Sequence, residues 1–151
     1  MNAEKCKGNK HIGKYISQLY RKGSVFINKE VSEYGIGSGQ FMFLLELYIN
    51  DGKNQEEIAE TLKIDKGTTA RALKKLEEQG FVTRIKDEND KRSNKIYLND
   101  KAKDVREGVL DVLNDWNKEI TKSLTEEEEE MLKSLLEKVC KNINVYEVDN
   151  E

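Results

Sequence analysis

Residues 54–98, NQEEIAETLKIDKGTTARALKKLEEQGFVTRIKDENDKRSNKIYL, hold two helix starts, a helix stop and a hairpin in close succession. Asn54 suits an N-cap, and Glu57 three residues on completes the pattern of a capping box. Ile58, Ala59 and Leu62 then form an inner face. Lys63-Ile64 makes a tight turn. Asp65 suits a second N-cap, for KGTTARALKKLEEQG, with Ala72, Leu73 and Leu76 inward and Gly80 as the C-terminal stop. FVTRIK and KIYL are β-rich and alternate, so they pair as a hairpin across the polar tip DENDKRSN. None of these pieces can bury its apolar face alone, so they must pack together.

The flanks read as helices. Residues 10–34 place Ile12, Ile16, Leu19, Phe26 and Ile27 near helical spacing, and the glycines of EYGIGSG end that helix. Ser38 is expected to cap a following helix, GQFMFLLELYIND, apolar enough to be buried. After Asp100 two long helices are expected. One carries the stripe Val105, Val109, Val112, Leu113, Trp116, Ile120 and Leu124. The next is capped by Thr125, with EEEEE in its first turns where the helix dipole favours anions. It continues through Met131, Leu132, Leu135, Leu136, Val139 and Ile143. The chain has no proline. The expected class is mainly α with a small β-hairpin wing: a winged helix-turn-helix flanked by N- and C-terminal helices.

Charge is unevenly spread. The chain of 151 residues carries a net −3. Residues 1–34 are net +4, 35–65 net −4, 66–100 net +3 and 101–151 net −6, so local fields matter more than the total. No apolar run is long enough to span a bilayer and no signal segment opens the chain, which leads to the expectation of a cytoplasmic protein with no membrane partner. Cys6 and Cys140 form no metal-ligand pattern, and no metal or other cofactor is expected. His11 is the single histidine, without a catalytic partner in the pattern, and the carboxylates of 126–130 read as a solvated helix start. An enzyme is not expected.

Helix, turn, helix and ribbon in this order suit double-stranded DNA. The second helix must push its N-terminal half into a major groove about 12 Å wide. Lys66, Gly67, Thr68, Thr69 and Arg71 there are small, hydroxyl-bearing or basic. Arg71 suits a bidentate contact to guanine, and Lys66 and Lys74 suit phosphates. Ser38, Asn54, Gln55, Lys91 and Arg92 complete the candidate DNA contacts. The bland alternative is that the helix is a solvated amphipathic one, and that Asp90 and Arg92 are an exposed ion pair worth about 1 kcal/mol or less.

From GSGQFMFLLEL through the wing, the sequence resembles the MarR family of bacterial transcriptional regulators. Asp90-Lys91-Arg92 matches the family's wing signature, and LEEQGFVTR matches its turn into the first strand. Two places depart from it. Glu88-Asn89 stands where the family often has proline, which would loosen the wing, and Asn99-Asp100-Lys101 stands where it often has Thr-Gly. The resemblance implies a homodimer built from residues 1–34 and 101–151, with 35–100 as the DNA-binding domain, on a pseudo-palindromic operator. It implies that Arg92 enters the minor groove while Asp90 holds the wing's shape; Arg84 is expected to brace the wing from the strand. It also implies a repressor released by a small aromatic or phenolic effector, whose pocket His11, Tyr15, Phe41, Phe43, Leu44 and Tyr48 would line; simple core is the other reading of those residues. Two further readings stay open: a winged-helix protein–protein adaptor, and a redox-sensing regulator using Cys6.

Overall fold

A computed structural model describes residues 11–143. Its elements are α1 (Ile12–Ser32), α2 (Ser38–Ile49), α3 (Gln55–Leu62), α4 (Lys66–Glu78), β1 (Val82–Lys86), β2 (Asn94–Leu98), α5 (Asp100–Asp104), α6 (Arg106–Thr121) and α7 (Glu126–Asn142). The expected winged helix-turn-helix is present. Cysteine 6 lies outside the described residues, so the reading placed on Cys6 does too.

Local chemistry sets most boundaries. Asn54 caps α3 in a full capping box with Glu57, and Asp65 caps α4 by accepting from the Thr68 backbone N–H. Lys63, in the left-handed conformation, turns the chain between them. Gly80 follows α4 with φ +81°, where only glycine sits without strain. Thr125 caps α7 in a second capping box. Ser38 is different. Gly37 is the N-cap residue of α2, no side chain caps that end, and Ser38 is the first helical residue. The segment after Asp100 also departs from expectation. It breaks at Val105 into α5 and α6, because the Val105 N–H bonds back to Lys103 and closes a tight turn.

Of the described residues, 11–116 form one compact unit. Phe41, Phe43, Leu44 and Leu47 of α2 fill its centre, against Ile58 of α3, Leu73 and Leu76 of α4, Phe81, Ile96 of β2, and Val31 of α1. Expectation and structure differ along α2. Met42 and Ile49 are exposed, while Glu46 is buried. Burying a carboxylate requires a partner, and Lys53 Nζ supplies it at 2.8 Å while also donating to Thr61. On α1, Phe26 and Ile27 pack on this core, whereas Ile12, Tyr15, Ile16 and Leu19 are exposed. Gly23 lets the Trp116 ring close on α1: a methyl there would stand 3.0 Å from the indole. Tyr48 donates to the Ala102 carbonyl, tying α5 to α2, and burial pushes its pKa up to about 12.

Of the described residues, 117–143 form a second, smaller unit. Within it Asn117 donates to Glu129, and Lys133 pairs with Glu129 and Glu130. Met131, Leu132, Leu135, Leu136 and Val139 of α7 are all exposed, as is Cys140.

Candidate nucleic-acid interface

The wing begins with an antiparallel ladder that pairs Val82 with Leu98, Arg84 with Ile96, and Lys86 with Asn94. β2 is held on its other edge too. Gly52 N–H donates to the Ile96 carbonyl, Ile96 N–H donates to the Lys53 carbonyl, and Asn54 bridges Lys95. Asp51 accepts from the Leu98 N–H. The loop before α3 therefore acts as a short third strand. Gly52 makes this possible: its φ is +80°, and a methyl would meet the Tyr97 ring at 2.9 Å.

The tip, residues 87–93, is organised by its own acids. Asp87 accepts from the Asn89 N–H, and Asp90 accepts from the Arg92 N–H at 3.0 Å. Ser93 N–H returns to the Asp90 carbonyl, and Asp87 N–H bonds the Ser93 carbonyl across the base. These Asx-type bonds shape the tip without the family's proline. Asp90 therefore holds the backbone of Arg92, and the Lys91 and Arg92 side chains stand exposed. Ser93 is buried, and its hydroxyl donates to Glu56 of α3 at 3.2 Å.

Arg84 is the brace. Its guanidinium grips Glu77 of α4 through Nε at 3.0 Å and Nη2 at 2.9 Å, and its backbone N–H donates to the same carboxylate. That pairing holds the Glu77 pKa below the usual carboxylate value.

On α4, Lys66, Gly67, Arg71 and Lys74 are exposed and Thr68 is half-buried. Thr69 is not available to a groove. It is fully buried, in helical phase with Ala72, Leu73 and Leu76, and its hydroxyl has no hydrogen-bond partner. Asn54 has its amide oxygen committed to the cap, and Gln55 has its Oε1 buried. Ser38 is exposed at the start of α2. Among the candidate contacts, exposed cations therefore stand in two places, on α4 and at the wing tip, on one compact unit.

The six residues suggested for an effector pocket divide. Phe41, Phe43, Leu44 and Tyr48 belong to the buried core, while His11 and Tyr15 are exposed at the start of α1. Sequence reasoning missed Glu77, Ser93, Glu56 and Asp51. Glu77 lies within reach of a sequence argument, because a carboxylate one turn before the helix stop faces the returning strand. The Ser93–Glu56 contact joins residues far apart in sequence and leaves no local trace.

Comparison with known proteins agrees with this geometry. The MarR family model matches residues 36–93. The HTH-type transcriptional regulator YybA of Bacillus subtilis is 38% identical over 134 residues, covering 85% of this chain and 85% of that protein. A MarR transcriptional regulator from Methanosarcina mazei Go1 superposes with TM-score 0.83 at 44% identity, over 87% of this chain and 94% of its own. A MarR family regulator from Listeria monocytogenes, solved in complex with a 26mer DNA, superposes with TM-score 0.84 at 30% identity, over 89% of each chain. Matching over most of the length at this identity means that this chain belongs to the MarR family of DNA-binding transcriptional regulators.

Proposed function

We propose that this regulator is a homodimer that represses transcription from a pseudo-palindromic operator and is released by a small aromatic or phenolic molecule. The observation that carries the DNA part is the pairing of cations: Lys66, Arg71 and Lys74 on α4 and Lys91 and Arg92 on the wing are exposed on one compact unit. α4 suits the major groove, with Arg71 reading a base and Lys66 and Lys74 on phosphates. The wing suits the adjacent minor groove, with Arg92 at its tip. The dimer reading rests on exposed apolar stripes in both units: Ile12, Tyr15, Ile16 and Leu19 on α1, and Met131, Leu135 and Val139 on α7. Such surface is costly to leave in water, and a two-fold partner covers it. A dimer of DNA-reading lobes in turn calls for half-sites about one helical turn apart.

Selection of bound sequences from random duplex DNA at several salt concentrations tests this function. A two-fold symmetric site should emerge, with affinity falling steeply with salt. Recovery of no such site would refute the operator. Arg71→Ala should cost about 1–3 kcal/mol and relax preference at one base pair. An even loss across all sequences would reduce Arg71 to a phosphate contact. Loss of the complex on titration with aromatic acids tests the release step.

A further inference from the structure

We infer that Asp65 is a specificity-determining residue: through Thr68 it fixes the direction of the Arg71 guanidinium. The inference rests on Arg71 being a base-reading residue. Three observations carry it. Both oxygens of the Asp65 carboxylate are engaged by Thr68, one taking the backbone N–H at 2.8 Å and the other the hydroxyl proton at 2.7 Å. With its proton spent on Asp65, the Thr68 hydroxyl presents a lone pair, and Arg71 Nη2 donates to it at 3.1 Å. The guanidinium also lies over Gly67, where a methyl would stand 3.4 Å from Arg71 Nη1 and 3.3 Å from the Asp65 carboxylate.

The chain Asp65–Thr68–Arg71 therefore has a direction. A carboxylate can only accept, so the hydroxyl proton must point at Asp65 and the lone pair at Arg71. An exposed arginine ordinarily samples many rotamers, and that freedom lets it slide onto a phosphate. Here Nη2 is held by Thr68 and Nη1 lies over Gly67 before DNA arrives, on a side chain that is exposed. Bidentate recognition of a guanine edge demands such a fixed plane, whereas a phosphate accepts a cation from many directions. The negative charge of Asp65 beside the guanidinium also disfavours a phosphate as its partner. An N-cap would do with either Asp or Asn. The direction of the hydroxyl proton requires Asp.

The test is a comparison of wild type, Asp65→Asn and Arg71→Ala on the selected operator and on operators substituted singly at each position. Asn retains a side-chain oxygen for the Thr68 N–H, but its NH2 donates to the hydroxyl, so the proton is no longer held at residue 65 and is free to turn towards Arg71. Asp65→Asn should keep its helical circular dichroism and its salt slope. It should lose about fivefold to tenfold of discrimination at the base pair that Arg71→Ala flattens, and little elsewhere. Asp65→Ser, which also caps helices, should show the same pattern. Unchanged discrimination in both Asp65 variants, with Arg71→Ala still flattening one position, would overturn the role of Asp65 alone. An even loss at all positions would overturn it as well, leaving a cap and nothing more. Arg71→Ala flattening no position would overturn it together with the base-reading role of Arg71.

Discussion

Glu77→Gln removes one charge from the brace beneath the wing and keeps the side chain's shape and one acceptor. In the wild type two side-chain bonds at 3.0 and 2.9 Å join Arg84 to Glu77, and a longer backbone bond reaches the same carboxylate. The side chains are 28% and 36% exposed. Fully exposed pairs contribute about 0.2–1 kcal/mol, and a bidentate fork lies at the upper end. Solvent screening at this exposure keeps the expected loss near 1 kcal/mol, or a fall of about 2–4 °C in Tm. The pH dependence has a definite sign. The folded-state pKa of Glu77 is depressed, so its contribution is complete above the unfolded carboxylate pKa and is lost as pH falls through the folded value. Arg84 is shifted upward and stays charged throughout this range. Thermal melts of wild type and variant should therefore differ by a constant amount at neutral pH and converge in acid, as the pH falls from the ordinary glutamate value through the lower folded one. Amide exchange in β1 should quicken in the variant. Equal melting at neutral pH, or a gap undiminished in acid, would refute the brace.

Thr69→Val should raise stability by about 1 kcal/mol, because it removes a buried hydroxyl without a partner; DNA affinity measured on the same protein should not change, and a loss there would put Thr69 in the groove. Gly52→Ala should cost about 1–2 kcal/mol by denaturant titration, since it forces a side chain to φ +80° against Tyr97. Arg92→Ala should weaken operator binding and reduce the salt slope by roughly one unit, with the melting temperature unchanged. Leu135→Glu, on the exposed stripe of α7, should yield a monomer by light scattering at micromolar concentration.

How much of this was legible in the sequence depends on how local each cause is. Asn54, Asp65 and Thr125 could be read as caps because capping is settled within four residues. Gly80 could be read as a stop for the same reason. Thr69 was misplaced because its neighbours Lys66, Gly67 and Thr68 are polar, although its phase with Ala72, Leu73 and Leu76 assigns it inward. The break at Val105 left no glycine or proline to mark it. Ser38 was read as a cap on residue type alone, while the backbone gave that place to Gly37. The burial of Glu46 depends on Lys53 folding back over it from the next loop, and the tie from Ser93 to Glu56 on a tertiary approach. In the candidate site, the exposure of Lys66, Arg71, Lys91 and Arg92 agrees with their polar sequence context. The network that aims or supports them was visible only in three dimensions.

β2 is stitched along both edges, to β1 on one side and to residues 52–54 on the other. Together with the Arg84–Glu77 grip, this makes the wing and α4 parts of one frame rather than a finger on a hinge. A reader with a fixed span behaves like a gauge. With α4 in the major groove and the wing in the minor groove, as proposed, the separation of the two contacts would be set in advance, and the duplex would supply the adjustment. Operators would then be sorted partly by how easily their minor groove narrows under the wing, and preference would extend to base pairs that no side chain touches.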